Sequence, residues 1–213
     1  LLLMGLENGF KVFNLLNFKM LCSQSFNGGI GAIDCLENTN ILIMTGGGEF
    51  PNFSYNEAII WDQANKKINA ELVFNKEILQ LRFKYEHLIV ITSDTLFVYL
   101  TFENLKKIKE VDIHGLKNGF YHQNLLDYPS IITYMGQSIE FNKIKPVDSN
   151  IFIDNLSSQS MKILKINDSP ILDFKLNSKG TIIAVVINKS NLIKIFDCQT
   201  LELYKVLAKD SDI

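Results

Sequence analysis

A short apolar strand that ends at an Asp or an equivalent position recurs along this 213-residue chain. One four-stranded blade of a β-propeller takes about 40–45 residues, and loops of different length account for scatter around that period. Sheets repeated at this period bury their apolar faces only by stacking on one another. The repeat predicts an all-β, WD-repeat β-propeller with about five blades in this chain. The strand ends lie about 38 to 54 residues apart, at Asn14, Asp62, Leu100, Asp154 and Asp197.

The stretches between these ends also have the character of strands. They are short, rich in β-branched and aromatic residues, and bounded by Gly, Asn, Asp, Ser or Pro, as in 87–92 and 181–187. Residues 102–111 fit a helical period as well, but their place between strands favours a polar outer strand. We therefore predict blades at residues 1–27 (the remainder of a first blade), 28–74, 75–113, 114–165 and 166–213.

Three consecutive glycines, Gly46 to Gly48, follow one predicted strand. A phosphate-binding glycine loop needs a helix N-terminus after it, or a Lys followed by Ser or Thr. Here the glycines run into Glu-Phe-Pro-Asn-Phe and then another strand. We interpret them as a tight turn with positive φ between two strands.

Composition excludes several classes of function. The chain is 47% hydrophobic with a net charge of −2, and Arg82 is its only arginine, so no strong attraction to nucleic acid is indicated. Three widely spaced cysteines without a CxxC motif are typical of reduced thiols in the cytoplasm. The histidines lack a recognisable nucleophile nearby. The sequence thus predicts no catalytic site, no metal site and no cofactor.

Several stretches at matching spacing resemble the PROPPIN family, the WD-repeat phosphoinositide-interacting (WIPI-type) proteins of autophagy. The similarity is collinear over essentially the whole chain, and members are seven-bladed propellers. Because the chain also starts without Met inside an apolar stretch, we expect a fragment that lacks blades 6 and 7. The stretches are "GLENGFKVFN" (5–14), "GGIGAIDCLENTNILIMTGGGEFP" (28–51), "NEAIIWD" (56–62), "INAELVF" (68–74), "LIVIT" with "TLFVY" (88–99) and "LNSKGTIIAVVINKSNLIKIFD" (176–197).

The resemblance implies binding of phosphatidylinositol 3-phosphate or its 3,5-bisphosphate at a Phe/Leu-Arg-Arg-Gly motif after blade 5. This chain has Leu-Ala-Lys-Asp there, residues 207–210, so both arginines are absent. Hydroxyl positions of the family's blade 5 site are occupied by Val185 and Ile187. We expect a weakened lipid site whose remnant is Asn167, Lys189, Asn191, Lys194 and Lys209.

The resemblance also implies a docking groove for partner proteins, including the lipid-transfer protein of autophagy, between blades 2 and 3. The expected function is a non-enzymatic adaptor on phosphoinositide-marked autophagic or endosomal membranes, cytoplasmic and peripherally attached. The alternative is a protein-interaction scaffold without lipid binding, or a fragment with no independent role. The candidate exposed contacts in the groove are Lys66, Lys67, Lys76, Arg82, Lys84 and His87.

Overall fold

Every described element of the computed structural model is a β-strand, and the chain divides into two compact units, Leu1–Val111 and Asp112–Ile213. Neighbouring strands pair in antiparallel fashion. The structure describes residues 1–37, 39–84, 86–101, 104–113, 121–123, 131–135, 139–140, 143–144, 150–166, 171–187 and 192–208.

The first unit holds three sheets in which strands follow one another in chain order. The first sheet consists of β1 (Leu2–Leu6), β2 (Gly9–Phe13) and β3 (Met20–Ser25). The second consists of β4 (Ile30–Cys35), β5 (Ile41–Gly46), β6 (Glu57–Asp62) and β7 (Lys67–Val73). The third consists of β8 (Ile78–Phe83), β9 (His87–Thr92), β10 (Thr95–Leu100) and β11 (Lys106–Asp112).

The second unit holds two larger sheets and a short hairpin. The hairpin, β14 (Ile139–Glu140) with β15 (Lys143–Ile144), is inserted between two strands of the fourth sheet. The fourth sheet consists of β12 (Tyr121–Gln123), β13 (Ile131–Met135), β16 (Asn150–Asn155) and β17 (Ser160–Lys165). The fifth consists of β18 (Ile171–Leu176), β19 (Ile182–Ile187), β20 (Leu192–Asp197) and β21 (Leu203–Ala208).

The middle strands of the second sheet are buried on both faces because a sheet packs on either side. Ile43 belongs to a buried cluster with Leu81 of the third sheet, whereas Trp61 belongs to one with Phe10 of the first sheet. The Trp61 ring meets Phe26 edge-on, with 5.3 Å between ring centroids. Side chains alternate across a strand, so both faces of such a strand must be apolar. The strand content and the sheet stacking confirm the predicted all-β fold.

The Asp that ends the third strand of a repeat organises the turn that follows it. Oδ1 of Asp62 accepts bonds from the backbone N–H groups two and three residues later, both at 3.0 Å. Asp197 accepts the same pair of bonds at 2.7 and 2.8 Å. A side-chain hydrogen bond from Asn65, together with the backbone bonds, holds the pKa of Asp62 below its ordinary value, and the backbone bonds do the same for Asp197. Four residues after each Asp, Lys66 and Leu201 take positive φ angles of 51° and 64°.

The repeat position predicted at Asp154 is wrong by one residue. Asn155 accepts the two turn bonds, each at 3.1 Å, and Gln159, four residues later, has a φ of 53°. Asp154 lies inside β16 and is 3% exposed. Asn and Asp side chains make the same turn, so the Asp at position 154 does not by itself mark the end of the strand.

Candidate functional site

The predicted lipid site lies largely outside the described residues, which include neither Asn167, Lys189, Asn191 nor Lys209. Lys194, the remaining candidate, is on β20, half-buried, opposite Val185 and Val206 in the sheet. Val185 and Ile187, which replace the expected hydroxyl positions, are 0% and 2% exposed and belong to the core. These two side chains contribute to packing and offer no donor to a phosphate.

The six predicted docking residues occupy opposite ends of the second and third sheets. Lys66 and Lys67 lie at the start of β7, and Lys76 lies beyond its other end. Arg82, exposed near the end of β8, donates from Nη1 to its neighbour's carbonyl, the Leu81 oxygen, at 3.3 Å. The structure therefore does not bring the six together in one place.

His87 was expected to be exposed, and this expectation is wrong. The residue is 3% exposed on β9, where every position is buried. Its Nδ1 finds no hydrogen-bond partner among the described residues. Burial lowers the pKa of the imidazole, against the smaller opposing effect of Glu86. His87 is thus a neutral core residue and offers nothing to a docking partner.

Lys84 is tied to the second sheet. Its Nζ lies 2.6 Å from Oε1 of Glu37, and only 15% of its side chain is exposed. Beside this pair, Oδ2 of Asp34 accepts a hydrogen bond from the backbone N–H of Phe83 at 2.9 Å. Burial raises the pKa of Asp34, partly offset by its backbone hydrogen bonds. This group of residues joins the two sheets, so Lys84 has a structural role.

Lys76 lines an open cleft of about 400 Å³ between the second and third sheets. One wall is aromatic: the Phe74 and Phe97 rings lie 5.0 Å apart between centroids, and Tyr99 meets Phe74 edge-on at 6.3 Å. Nζ of Lys107 lies 5.8 Å from the Phe97 ring centroid, a cation–π contact. Aromatic rings beside cations are typical of surfaces that bind other proteins.

The rim of this cleft carries both signs of charge. Lys107 pairs with Glu110 at 2.5 Å, and this hydrogen bond raises the pKa of Lys107. Thr92 bonds to Asp94 at 3.1 Å and accepts from the Thr95 N–H at the same distance, which orders the turn at the cleft floor. An ordered turn presents a preformed surface to a partner.

Sequence reasoning found only Lys76 among the residues of this cleft. Phe97, Tyr99 and Lys107 were missed, although a signal existed in the alternation of β10. Leu96 and Val98 are fully buried, which places Phe97 and Tyr99 on the other face. That the other face lines a cleft depends on the neighbouring sheet.

Glycine is needed at these three positions for two different structural reasons. A Cβ on Gly46 would lie 1.6 Å from the carbonyl oxygen of Phe53, and one on Gly47 would lie 2.4 Å from Cα of Gly31. Gly48 has a φ of +77° with open space around it. The predicted positive-φ turn is present at Gly48 only, whereas Gly46 and Gly47 allow close backbone approach.

Other kinds of site are not assembled by the described residues. They contain no group of three or more His, Cys, Asp or Glu side chains placed to hold a metal ion. They also contain no helix of sufficient length and apolar character to cross a membrane.

The chain is similar in sequence to curated proteins, although no protein-family model matches it. It is 27% identical to SVP1-like protein 2 of Candida glabrata over 232 residues, covering 97% of this chain and 52% of that protein. It is 21% identical to Autophagy-related protein 18 of Komagataella pastoris over 231 residues, covering 94% and 42%. The chain therefore spans about half the length of the curated relatives it matches.

Solved structures agree with the fold. KlAtg21, in a complex with the coiled coil of AgAtg16, superposes with a TM-score of 0.78 at 19% identity, covering 97% of this chain and 66% of that one. Kluyveromyces lactis Hsv2p superposes with a TM-score of 0.76 at 17% identity, covering 99% and 60%. The fold is that of a β-propeller. Its relatives, named SVP1-like protein 2 and Autophagy-related protein 18, support membership of the PROPPIN family.

Proposed function

We propose that this chain is part of a PROPPIN adaptor that docks an autophagy protein in the aromatic cleft between its second and third sheets. The observation that carries the proposal is the juxtaposition of the partly buried Phe97 and Tyr99 rings, which pack on the buried Phe74, with Lys76 and Lys107 around about 400 Å³ of open space. Such a surface fits a partner that offers an apolar side chain together with carboxylates.

A helical partner suits the site. The structural neighbour KlAtg21 was solved with the coiled coil of AgAtg16. A helix laid into a groove places side chains at intervals of three and four residues along one line. An acidic helix of this kind would pair with Lys76 while its apolar stripe covers Phe97. Lys66, Lys67 and Arg82 remain proposed as contacts of a longer partner, whereas the structural roles of His87 and Lys84 argue against including them.

The proposed function also includes membrane binding, with a weak affinity for the lipid. We propose that the remnant of the lipid site, including Lys194 and Lys209, gives weak attraction to membranes bearing phosphatidylinositol 3-phosphate or the 3,5-bisphosphate. The burial of Val185 and Ile187 supports this weakening, because neither donates to phosphate. The protein would then reside in the cytoplasm and associate peripherally with autophagic or endosomal membranes.

We further propose that each of the five sheets is one blade, with the boundaries predicted from the sequence. The five strand groups fall within 1–27, 28–74, 75–113, 114–165 and 166–213. Limited proteolysis tests these boundaries, since cleavage should concentrate between the sheets rather than within them.

Liposome flotation together with a solution binding assay tests the adaptor proposal. The protein is mixed with the coiled-coil segment of an Atg16-type protein, and vesicles of phosphatidylcholine are used with and without phosphatidylinositol 3-phosphate. We expect the protein and the coiled coil to bind in solution and to float together weakly when the lipid is present. Binding without any flotation supports the alternative, a scaffold that does not bind lipid. Absence of both overturns the adaptor proposal.

A further inference from the structure

A second cavity lies in the second unit, between the fourth and fifth sheets. Its volume is about 330 Å³, at the small end of the range for ligand pockets. Buried side chains lining it are Ile131, Ile153 and Cys198, which are 9%, 5% and 6% exposed. Burial raises the pKa of the Cys198 thiol to about 12, so it stays protonated and apolar in character. The cavity therefore has an apolar floor.

The rim of this cavity is cationic. Lys162 is half-buried, and its Nζ donates to the carbonyl oxygen of Gln199 at 2.5 Å, which holds the lysine across the gap between the two sheets. Lys179 lies in the exposed turn before Gly180. The remaining lining side chains are neutral. The nearby carboxylate of Asp197 accepts hydrogen bonds from the backbone N–H groups of Gln199 and Thr200 and also attracts Lys162 electrostatically.

An equivalent cavity in the first unit shows that these lysines are particular to this site. Ile41 pairs with Asp62 just as Ile131 pairs with Asn155, and both isoleucines line a cavity at the same place in their repeat. The first-unit cavity is about 360 Å³ and has no charged side chain in its lining, which is made of Leu36, Ile41, Ile60, Asn69, Ala70, Phe83, Thr101, Asn104 and Leu105. Two cations have thus been added to an otherwise apolar feature of the repeat.

Gly180 sets the shape of the cavity mouth. Its φ is +71°, and a Cβ there would lie 2.8 Å from Cδ1 of Ile131. The backbone of this turn therefore closes directly over the isoleucine, and the lysine before it stands at the edge of the opening. The apolar floor is recessed, so a flat membrane surface cannot reach it. A small inorganic anion has no buried donor to hold it there.

We propose that this cavity binds a short peptide in which an aliphatic side chain enters between Ile131 and Ile153 while a neighbouring carboxylate pairs with Lys162 and Lys179. Apolar burial would supply most of the affinity, and the two cations would select acidic sequences. This site is separate from the aromatic cleft and does not rest on the function proposed for that cleft.

The test uses the purified protein that contains this chain and a pool of ten-residue peptides in which Leu or Ile is flanked by Asp. Binding is followed by fluorescence anisotropy and by the methyl NMR signals of isoleucines. We expect the Ile131 and Ile153 methyl signals to shift, while those of Ile41 and Ile60 stay in place. A matched pool with Asn in place of Asp, and one with Ser in place of Leu and Ile, should each bind more weakly.

Variants separate the role of charge from folding. Lys179→Glu should weaken binding about tenfold, because a favourable rim charge becomes a repulsive one. Lys162→Gln, which keeps a donor for Gln199, should weaken it about threefold. Lys205→Glu, an equal charge change on exposed β21, should alter it less than twofold. Absence of binding below about 1 mM, shifts at Ile41 and Ile60, or equal loss in Lys179→Glu and Lys205→Glu would each overturn the proposal.

Discussion

Asp34 on β4 and Phe83 on β8 are joined by a hydrogen bond from the Phe83 backbone N–H to the Asp34 carboxylate, with 2.9 Å between nitrogen and oxygen. The bond links the inner strands of two neighbouring sheets through residues 49 positions apart in the chain. It also satisfies a backbone donor at the end of β8. The acceptor for this backbone N–H is a side chain, whereas within the sheets it is the carbonyl oxygen of the neighbouring strand.

The first prediction concerns this link. Asp34→Ala should lower the free energy of unfolding by about 1–3 kcal/mol, since it leaves the Phe83 N–H without its acceptor. Glu37→Gln is the matched control. It removes the partly exposed ion pair with Lys84 and should cost at most about 1 kcal/mol. Urea unfolding measures both, and equal losses in the two variants would contradict the assigned role of Asp34.

The triple glycine provides a second prediction. Gly46→Ala should lower the free energy of unfolding by more than about 3 kcal/mol, because its Cβ would lie 1.6 Å from the backbone carbonyl oxygen of Phe53, so the backbone itself would have to shift. Gly48→Ala meets no neighbouring atom and suffers only the strain of positive φ, about 1 kcal/mol. Thermal melts of the two variants should therefore separate clearly. A milder effect at Gly46 than at Gly48 would mean that the backbone approach is looser than described.

Protonation of His87 should make stability fall in mild acid. Because burial lowers its pKa below the ordinary histidine value of about 6.5, the unfolded chain takes up the proton at a higher pH than the folded one. The stabilisation is complete above about pH 6.5 and is lost progressively as the pH falls toward the lowered pKa.

In melting curves between pH 7 and pH 5, His87→Leu should flatten this loss. Glu86→Gln serves as the opposing control. The Glu86 carboxylate favours the protonated imidazole, so its removal should make the loss slightly steeper. An unchanged pH dependence in His87→Leu would place the titration on another group.

The aromatic cleft is tested by charge reversal at a lysine in its lining and at a lysine away from it. Lys76→Glu should weaken binding of the coiled-coil partner about tenfold, because this exposed lysine lies in the cleft lining. Lys205→Glu, an equal charge change on exposed β21, should change it less than threefold. Titration calorimetry gives both values. The reverse order of effects would move the docking surface away from the cleft.

The lipid site is tested by restoring the missing donors. The combined changes Ala208→Arg, Lys209→Arg and Asp210→Gly should strengthen flotation with phosphatidylinositol 3-phosphate vesicles. The absent charge-assisted bonds correspond to about 3–6 kcal/mol, or roughly two to four decades of affinity. Binding by the parent chain should be weak and should fade as salt rises. Tight, headgroup-specific binding by the parent would contradict an eroded site.

The sequence predicted features that depend on neighbours along the chain. Strand content follows from β-branched and aromatic runs, and the stacking of sheets follows from the period of the repeat. The absence of a helix after Gly46 to Gly48 was enough to reject a phosphate loop. Local chemistry also sufficed for Asp62 and Asp197, whose side chains bond within the next three residues.

Only the tertiary structure decided which face of a strand meets which neighbour. A strand such as β9 shows no alternation, so nothing in its sequence distinguishes His87, with its unpartnered nitrogen, from an exposed histidine. The turn was predicted at Asp154, but Asn155 makes its hydrogen bonds. Neighbouring residues of a strand point to opposite faces, so only the packing decides which of the two side chains meets the turn. Cavities between sheets, and the lysines at their rims, arise from residues far apart in the chain, and long-range packing alone brings those residues together.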